Sequence, residues 1–172
     1  ARVAVGVPGG ASALIRPGFL TVLDRSAAGW GAQPAQQSLQ GPVPIDGAMY
    51  GSAVAISGNG TTLAAGGSAA NSNRGQAAFY LQQAGSWIAS AITPAGLPAS
   101  AFFGDAIAMS RDGRTMVIGA WDQDTAAANG TVYSYNDIPL SFLPGQVVTR
   151  TGGGFGEYFG RSLAMDSAGT TF

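Results

Sequence analysis

The chain has 172 residues, 27 of them glycine, with 46% hydrophobic and only 10% charged residues, a composition suited to an ordered, tightly packed fold and unlike that of a disordered chain. It contains no His, no Cys and no Lys, which excludes Ser-His-Asp and Cys-His sites, Cys/His zinc sites, Schiff-base chemistry and a Walker A phosphate loop. The formal net charge is -1 and the eight basic residues, all Arg, are scattered from Arg2 to Arg161, so no basic footprint for nucleic acid is present. No apolar run reaches the roughly 18 residues a membrane-spanning helix requires, and the absence of Cys excludes disulfides without fixing a compartment.

Taken in order, the chain opens on Arg2-Val3-Ala4-Val5-Gly6, a strand-like run that aligns with Thr62 to Gly66 and Thr115 to Gly119. A loop follows, then Gly18 to Leu23, whose counterparts are Gly75 to Tyr80 and Gly130 to Tyr135. Each is a glycine-led run rich in aromatic or β-branched residues, as expected for a strand leaving a turn. Seven residues beyond each run stands a large aromatic: Trp30, Trp87 and Phe142. That offset predicts a shared register and a core position for all three. The middle copy is expected to form four strands, roughly Ser52–Ser57, Thr62–Gly66, Ala77–Leu81 and Ser86–Ala91.

The strongest repeat is Phe103 to Ala120, FGDAIAMSRDGRTMVIGA, matched by Tyr50 to Gly67 and by the half copy Phe159 to Phe172. The spacing between copies is 53 and then 56 residues. A fixed period of that order is the mark of a repeat architecture, and a four-stranded unit of this length suits a propeller blade. Within the first strand, Val54 and Ile56, Ile107 and Met109, and Leu163 and Met165 alternate with the small residues Ala53 and Ala55, Ala106 and Ala108, and Ser162 and Ala164. The pattern predicts a strand buried on both faces. Asn59-Gly60 and Asp112-Gly113 are expected to be two-residue hairpin turns, both positions at positive φ, and Ala84-Gly85 another turn. Gly51, Gly104 and Gly160 are placed to let a neighbouring backbone approach closely.

The Phe103-Gly104 start and Gly119-Ala120 ending resemble the FG-GAP repeat of the integrin α-subunit propeller and its relatives, with a second copy from Tyr50 and partial copies at either end. The resemblance implies an all-β fold: a β-propeller of four-stranded antiparallel blades, about three of them present, residues 1–172 forming one partial propeller that starts and ends mid-blade. Propellers close with about four to eight blades, so the remaining blades are expected in further sequence or in another chain.

The resemblance also raises calcium, which such repeats hold in the loop between the first two strands. The matching loops, 57–60, 110–113 and 166–169, carry no more than one carboxylate each, whereas calcium takes about six to eight oxygen ligands. No metal and no cofactor is expected. The loop-like run Trp121-Asp122-Gln123-Asp124 offers an aromatic and two carboxylates for a ligand or partner contact, against packing of the indole on a blade edge. A carboxylate pair for glycoside hydrolysis would have to come from Asp122, Asp124, Asp105 and Glu157, and no spacing singles out a pair. The glycine run from Gly152 to Gly156 leads into the next repeat instead of opening a phosphate-binding helix. Asn59-Gly60-Thr61 and Asn129-Gly130-Thr131 are sequons at expected turns.

The function expected from these features is a non-enzymatic structural or protein-interaction module of a cell-surface or secreted assembly. Its partners would be other protein chains or further blades, and a glycan as the alternative; a lectin would repeat an exposed aromatic at the positions of Trp121, where Ser68 and Pro8 stand instead.

Overall fold

The computed structural model describes residues 1–9, 16–27, 29–30, 35–125, 128–136, 143–151 and 157–172, with backbone alone for residues 35, 123–125, 128–129, 143–145 and 150–151. Among these residues eleven strands form three antiparallel sheets: β1 (Arg2–Val7), β2 (Phe19–Asp24) and β3 (Ala35–Leu39); β4 (Ala53–Ile56), β5 (Thr62–Gly67), β6 (Gln76–Gln83) and β7 (Ser86–Ala91); and β8 (Ile107–Met109), β9 (Met116–Thr125), β10 (Ala128–Asn136) and β11 (Leu143–Thr151). Each sheet is a meander in which sequence neighbours pair. The first sheet has three strands among the described residues and the other two have four.

The middle sheet is apolar on both faces because its strands alternate two sets of side chains. Leu63, Ala65, Ala78 and Tyr80 join Leu20, Val22 and Tyr50 in one core cluster toward the first sheet. Ala64, Ala77 and Phe79 join Phe103, Met116 and Ile118 in another, toward the third. Both clusters are closed by the larger side chains of the first strands, Val54 and Ile56 on one and Ile107 and Met109 on the other. β4 and β8 are themselves half-buried, not buried on both faces as their sequence suggests, because each is the edge strand of its sheet.

What joins the sheets is a repeated docking of an aromatic-Gly pair. Tyr50 N–H donates to Pro17 O at 2.7 Å and Phe103 N–H to Arg74 O at 3.1 Å, each across to the preceding sheet's second loop. The following glycines donate within their own sheet, Gly51 N–H to Gly66 O at 2.7 Å and Gly104 N–H to Gly119 O at 3.0 Å. The backbones come so close that a Cβ on Gly66 would lie 2.0 Å from Gly104 O, and one on Gly119 1.9 Å from Gly160 O. A side chain at either position would push the sheets apart.

Two further ties cross between sheets. Tyr80 Oη donates to Gln40 O at 2.6 Å, and Tyr135 Oη to Ile92 O at 2.9 Å, each reaching the carbonyl just past the last strand of the preceding sheet. Arg2, paired with Asp24 on β2, also donates to Gly60 O and Gln82 Oε1 at 2.7 Å and lies over the Trp87 ring.

Several expected details differ. Of the three aromatics assigned to one register, Trp87 is half-buried on β7 and packs against the first cluster, whereas Trp30 is 44% exposed. The cause is loop length: β6 and β7 are joined by Ala84-Gly85 alone, while residues 25–34 separate β2 from β3, so a constant offset places Trp30 in the connection. Phe142 and residues 152–156 lie outside the described residues. The turns at Asn59-Gly60 and Asp112-Gly113 are not two-residue hairpin turns, since only the glycines take positive φ. Ser57 N–H instead bonds to Thr62 O across four intervening residues, with the same pattern from Ser110 to Thr115. Ala84-Gly85 is the two-residue turn, with φ of 48° and 85°. Residues 161–166 form bends and extended chain instead of a strand, because no second strand pairs with them among the described residues.

Candidate functional site

The strand connections fall at two ends of the sheets. At one end lie the β4–β5 and β8–β9 turns and the turn at 166–170, linked in a row by Gly58 N–H to Arg111 O at 2.7 Å and Arg111 N–H to Ser167 O at 3.0 Å. Their side chains lock the turns. Asn59 Oδ1 accepts from Ser57 Oγ, Thr61 N and Thr61 Oγ1. Asp112 Oδ1 accepts from Ser110 Oγ at 2.6 Å and Arg114 N at 3.0 Å, and these bonds hold its pKa below the usual carboxylate value. Asp166 is lowered in the same way, chiefly by Thr171 N–H and then by Thr170. Among the described residues no three acidic, His or Cys side chains gather in a group that could hold a metal ion.

At the other end lie the aromatic-Gly segments and the β5–β6 connection. Met49, Phe102 and Tyr158, each preceding the docking aromatic, take positive φ of 54°, 51° and 51°. A left-handed conformation costs a non-glycine residue roughly 1–2 kcal/mol, and here it recurs at one position in three repeats. The reason is the turn that follows, in which their carbonyls accept from Ser52, Asp105 and Arg161 N–H at 3.0, 3.2 and 3.1 Å. Met49 and Tyr158 remain 47% and 42% exposed.

Trp121 belongs to this end. It stacks on Phe102 with ring centroids 4.5 Å apart and meets Tyr158 edge-on at 5.0 Å, while the Arg161 guanidinium lies 5.2 Å from its centroid. Its indole N–H donates to Asp105 Oδ2 at 2.9 Å. Residues 121–125 are strand, not the expected loop, because β9 stays paired with β10 through Asn129↔Asp124 and Ala128↔Thr125. Asp122, next to Trp121 on β9, is half-buried, and the Asp124 side chain lies outside the described set. Asn129 also sits on β10 rather than in a turn, and Thr131 of its sequon is buried with its hydroxyl unpartnered. Asn59 stands in an exposed turn as expected.

The sequence reading missed the β5–β6 connection. Asn71, Ser72 and Asn73 are three consecutive residues at φ of 52°, 59° and 60°, a left-handed turn. Asn and Ser tolerate this better than bulkier residues, and that was the one available signal. The turn borders a cleft of about 530 Å³ whose other wall is the segment after β7.

The span from Ala89 to Tyr135, which carries the docking pair Phe103-Gly104, the close-contact glycine Gly119 and the tethering Tyr135, matches the family model of the FG-GAP repeat. Over this span the chain is similar to the FG-GAP repeat. The matched FG-GAP span runs from the end of β7 through most of β10, so it includes the junction between the second and third sheets. No curated protein matches the chain. No helix is long and apolar enough to cross a membrane among the described residues.

Proposed function

We propose that the three sheets are successive blades of a β-propeller, residues 1–172 forming one partial propeller, and that the chain is a non-enzymatic protein-interaction module of a cell-surface or secreted assembly. The observation that carries this reading is the aromatic-Gly docking, repeated at each sheet junction, which holds the sheets rigidly and leaves the connections at their ends free to make contacts. Binding surfaces are characteristically built on loops held by such a scaffold. The FG-GAP match supports the same reading at the level of the repeat.

The end that carries Met49, Ser72 and Tyr158 is the contact face in this account. A photo-crosslinking residue placed at exposed Ser72 in the full-length protein, in its native cells, is expected to give discrete adducts with another protein. The same residue at Ser86, at the opposite end of the sheets, serves as the control. Equal labelling at both positions, or none at Ser72, would contradict the assignment. An extracellular setting is supported by the sequon at Asn59, which is exposed, with its carboxamide oxygen occupied. Intact mass of the natural protein should then fall by one glycan in Asn59→Gln; an unchanged mass would count against it.

A further inference from the structure

The left-handed turn Asn71–Asn73 is held from outside. Ser72 O accepts from Ser100 N–H at 3.2 Å, Asn73 O from Phe102 N–H at 2.8 Å and Arg74 O from Phe103 N–H at 3.1 Å. These three bonds fix the backbone on which Arg74 stands, and strain maintained by its surroundings is a pointer to function. The Arg74 side chain is exposed, lines the cleft, and has no carboxylate partner among the described residues. Opposite it stand Thr93, Pro94, Leu97 and Pro98, with no acidic residue among the described residues of the lining. Thr93 Oγ1 accepts from Ala77 N–H at 3.2 Å, which leaves its own proton to donate.

The geometry points to a binding site for a carboxylate attached to an apolar group. Arg74 presents a planar fork that matches a carboxylate in two parallel hydrogen bonds. Asn71 and Thr93 supply neutral donors beside it, and the two prolines with Leu97 form a rigid apolar wall that needs little ordering on binding. A single guanidinium with no second cation suits a monoanion better than a phosphate dianion. The cleft is built within the second sheet's connections and the segment that follows it, so the inference stands whether or not the sheets close into a ring.

The carboxylate could be a free small acid or an acidic side chain of a protein partner, and the test separates the two. Amide chemical shifts of Gly75 and Gly96 in the full-length protein would be followed on addition of 3-phenylpropionate, of its uncharged amide, and of a capped peptide with one glutamate between leucines. Saturable shifts are expected with at least one of the two acids, weakened at least about tenfold in Arg74→Gln, a loss of about 1.4 kcal/mol. The uncharged amide should bind equally poorly to both proteins. Tighter binding of the peptide would assign the site to a protein partner, and tighter binding of the free acid to a small ligand. Binding of the acids by Arg74→Gln as tight as by the natural protein, binding of the uncharged amide as tight as that of the acid, or no saturable shift with either acid would overturn the proposal.

Discussion

Gly66 and Gly104 meet backbone to backbone, and that single contact explains why the repeat begins with an aromatic and a glycine and has another glycine at the end of its second strand. A Cβ on Gly66 would overlap the Gly104 carbonyl in a junction with no flexible side chain to yield. Gly66→Ala is therefore expected to destabilise by about 3 kcal/mol, at the upper end of what overpacking a close-packed site costs. Gly85→Ala is the control: its φ is 85° but nothing lies within 4 Å of the added carbon. It should cost only the left-handed penalty, about 1 kcal/mol. Urea unfolding of both variants measures the difference; equal losses would show that the sheet junction is not the tight contact it is taken to be. Some of this was legible in the residues themselves, since an aromatic-Gly step recurring at a fixed period suggests close approach. The strain at Met49, Phe102, Tyr158 and Asn71–Asn73 was not. At the first three it goes with the turn closed by Ser52, Asp105 and Arg161, and at the last with bonds from Ser100 and Phe102; no local preference of Met, Phe or Tyr announces it.

Between elements, the tyrosine hydroxyls of β6 and β10 tie each sheet to the one before. Tyr80 donates to Gln40 O and stands 2.8 Å from the Tyr50 hydroxyl, both rings almost fully buried. Tyr80→Phe removes the donor to the Gln40 carbonyl and leaves the buried Tyr50 hydroxyl without its partner, which should cost about 1–3 kcal/mol. Burial, the largest influence, raises the pKa of Tyr50, Tyr80 and Tyr135 well above the ordinary value of 10.0. The unfolded chain therefore loses these protons first as pH rises, so stability is full below about pH 10 and falls above it. Unfolding midpoints across that range, followed with tyrosinate absorbance, should show buried tyrosines ionising only as the fold is lost. Ionisation of all five tyrosines near pH 10 without unfolding would contradict the buried pair. Most strands could be read from sequence because glycine-bounded apolar runs mark them, and the four strands expected between Ser52 and Ala91 are all present. Trp30 shows the limit. A sequence offset does not reveal which loop has grown, and only the pairing of Leu23 with Gln36 shows that the connection is long. The extension of β9 through Trp121 was equally hidden, because Asp122 and Asp124 are poor strand formers and the segment is held by the pairing of Asp124 and Thr125 with β10.

Across the whole molecule, a sheet with an apolar core on each face requires a neighbour on each side, and repeated junctions of one geometry generate a regular succession. The half-buried first strands β4 and β8 lie at equivalent edges and pack in sequence, β1 against β4 and β4 against β8. If the succession turns about an axis, these edges line its centre, which agrees with their small residues Ala53, Ala55 and Ala108. The candidate contact face was much less legible than the fold: Trp121 stood out for its chemistry, whereas Arg74 acquires significance only through the turn that holds it. Electron microscopy of the full-length protein tests the radial arrangement of the sheets directly. The expected image is a closed ring viewed down one axis, with β4 and β8 innermost and the aromatic-Gly junction repeated between adjacent sheets. A linear stack of sheets, or a ring with β7 and β11 innermost, would contradict it.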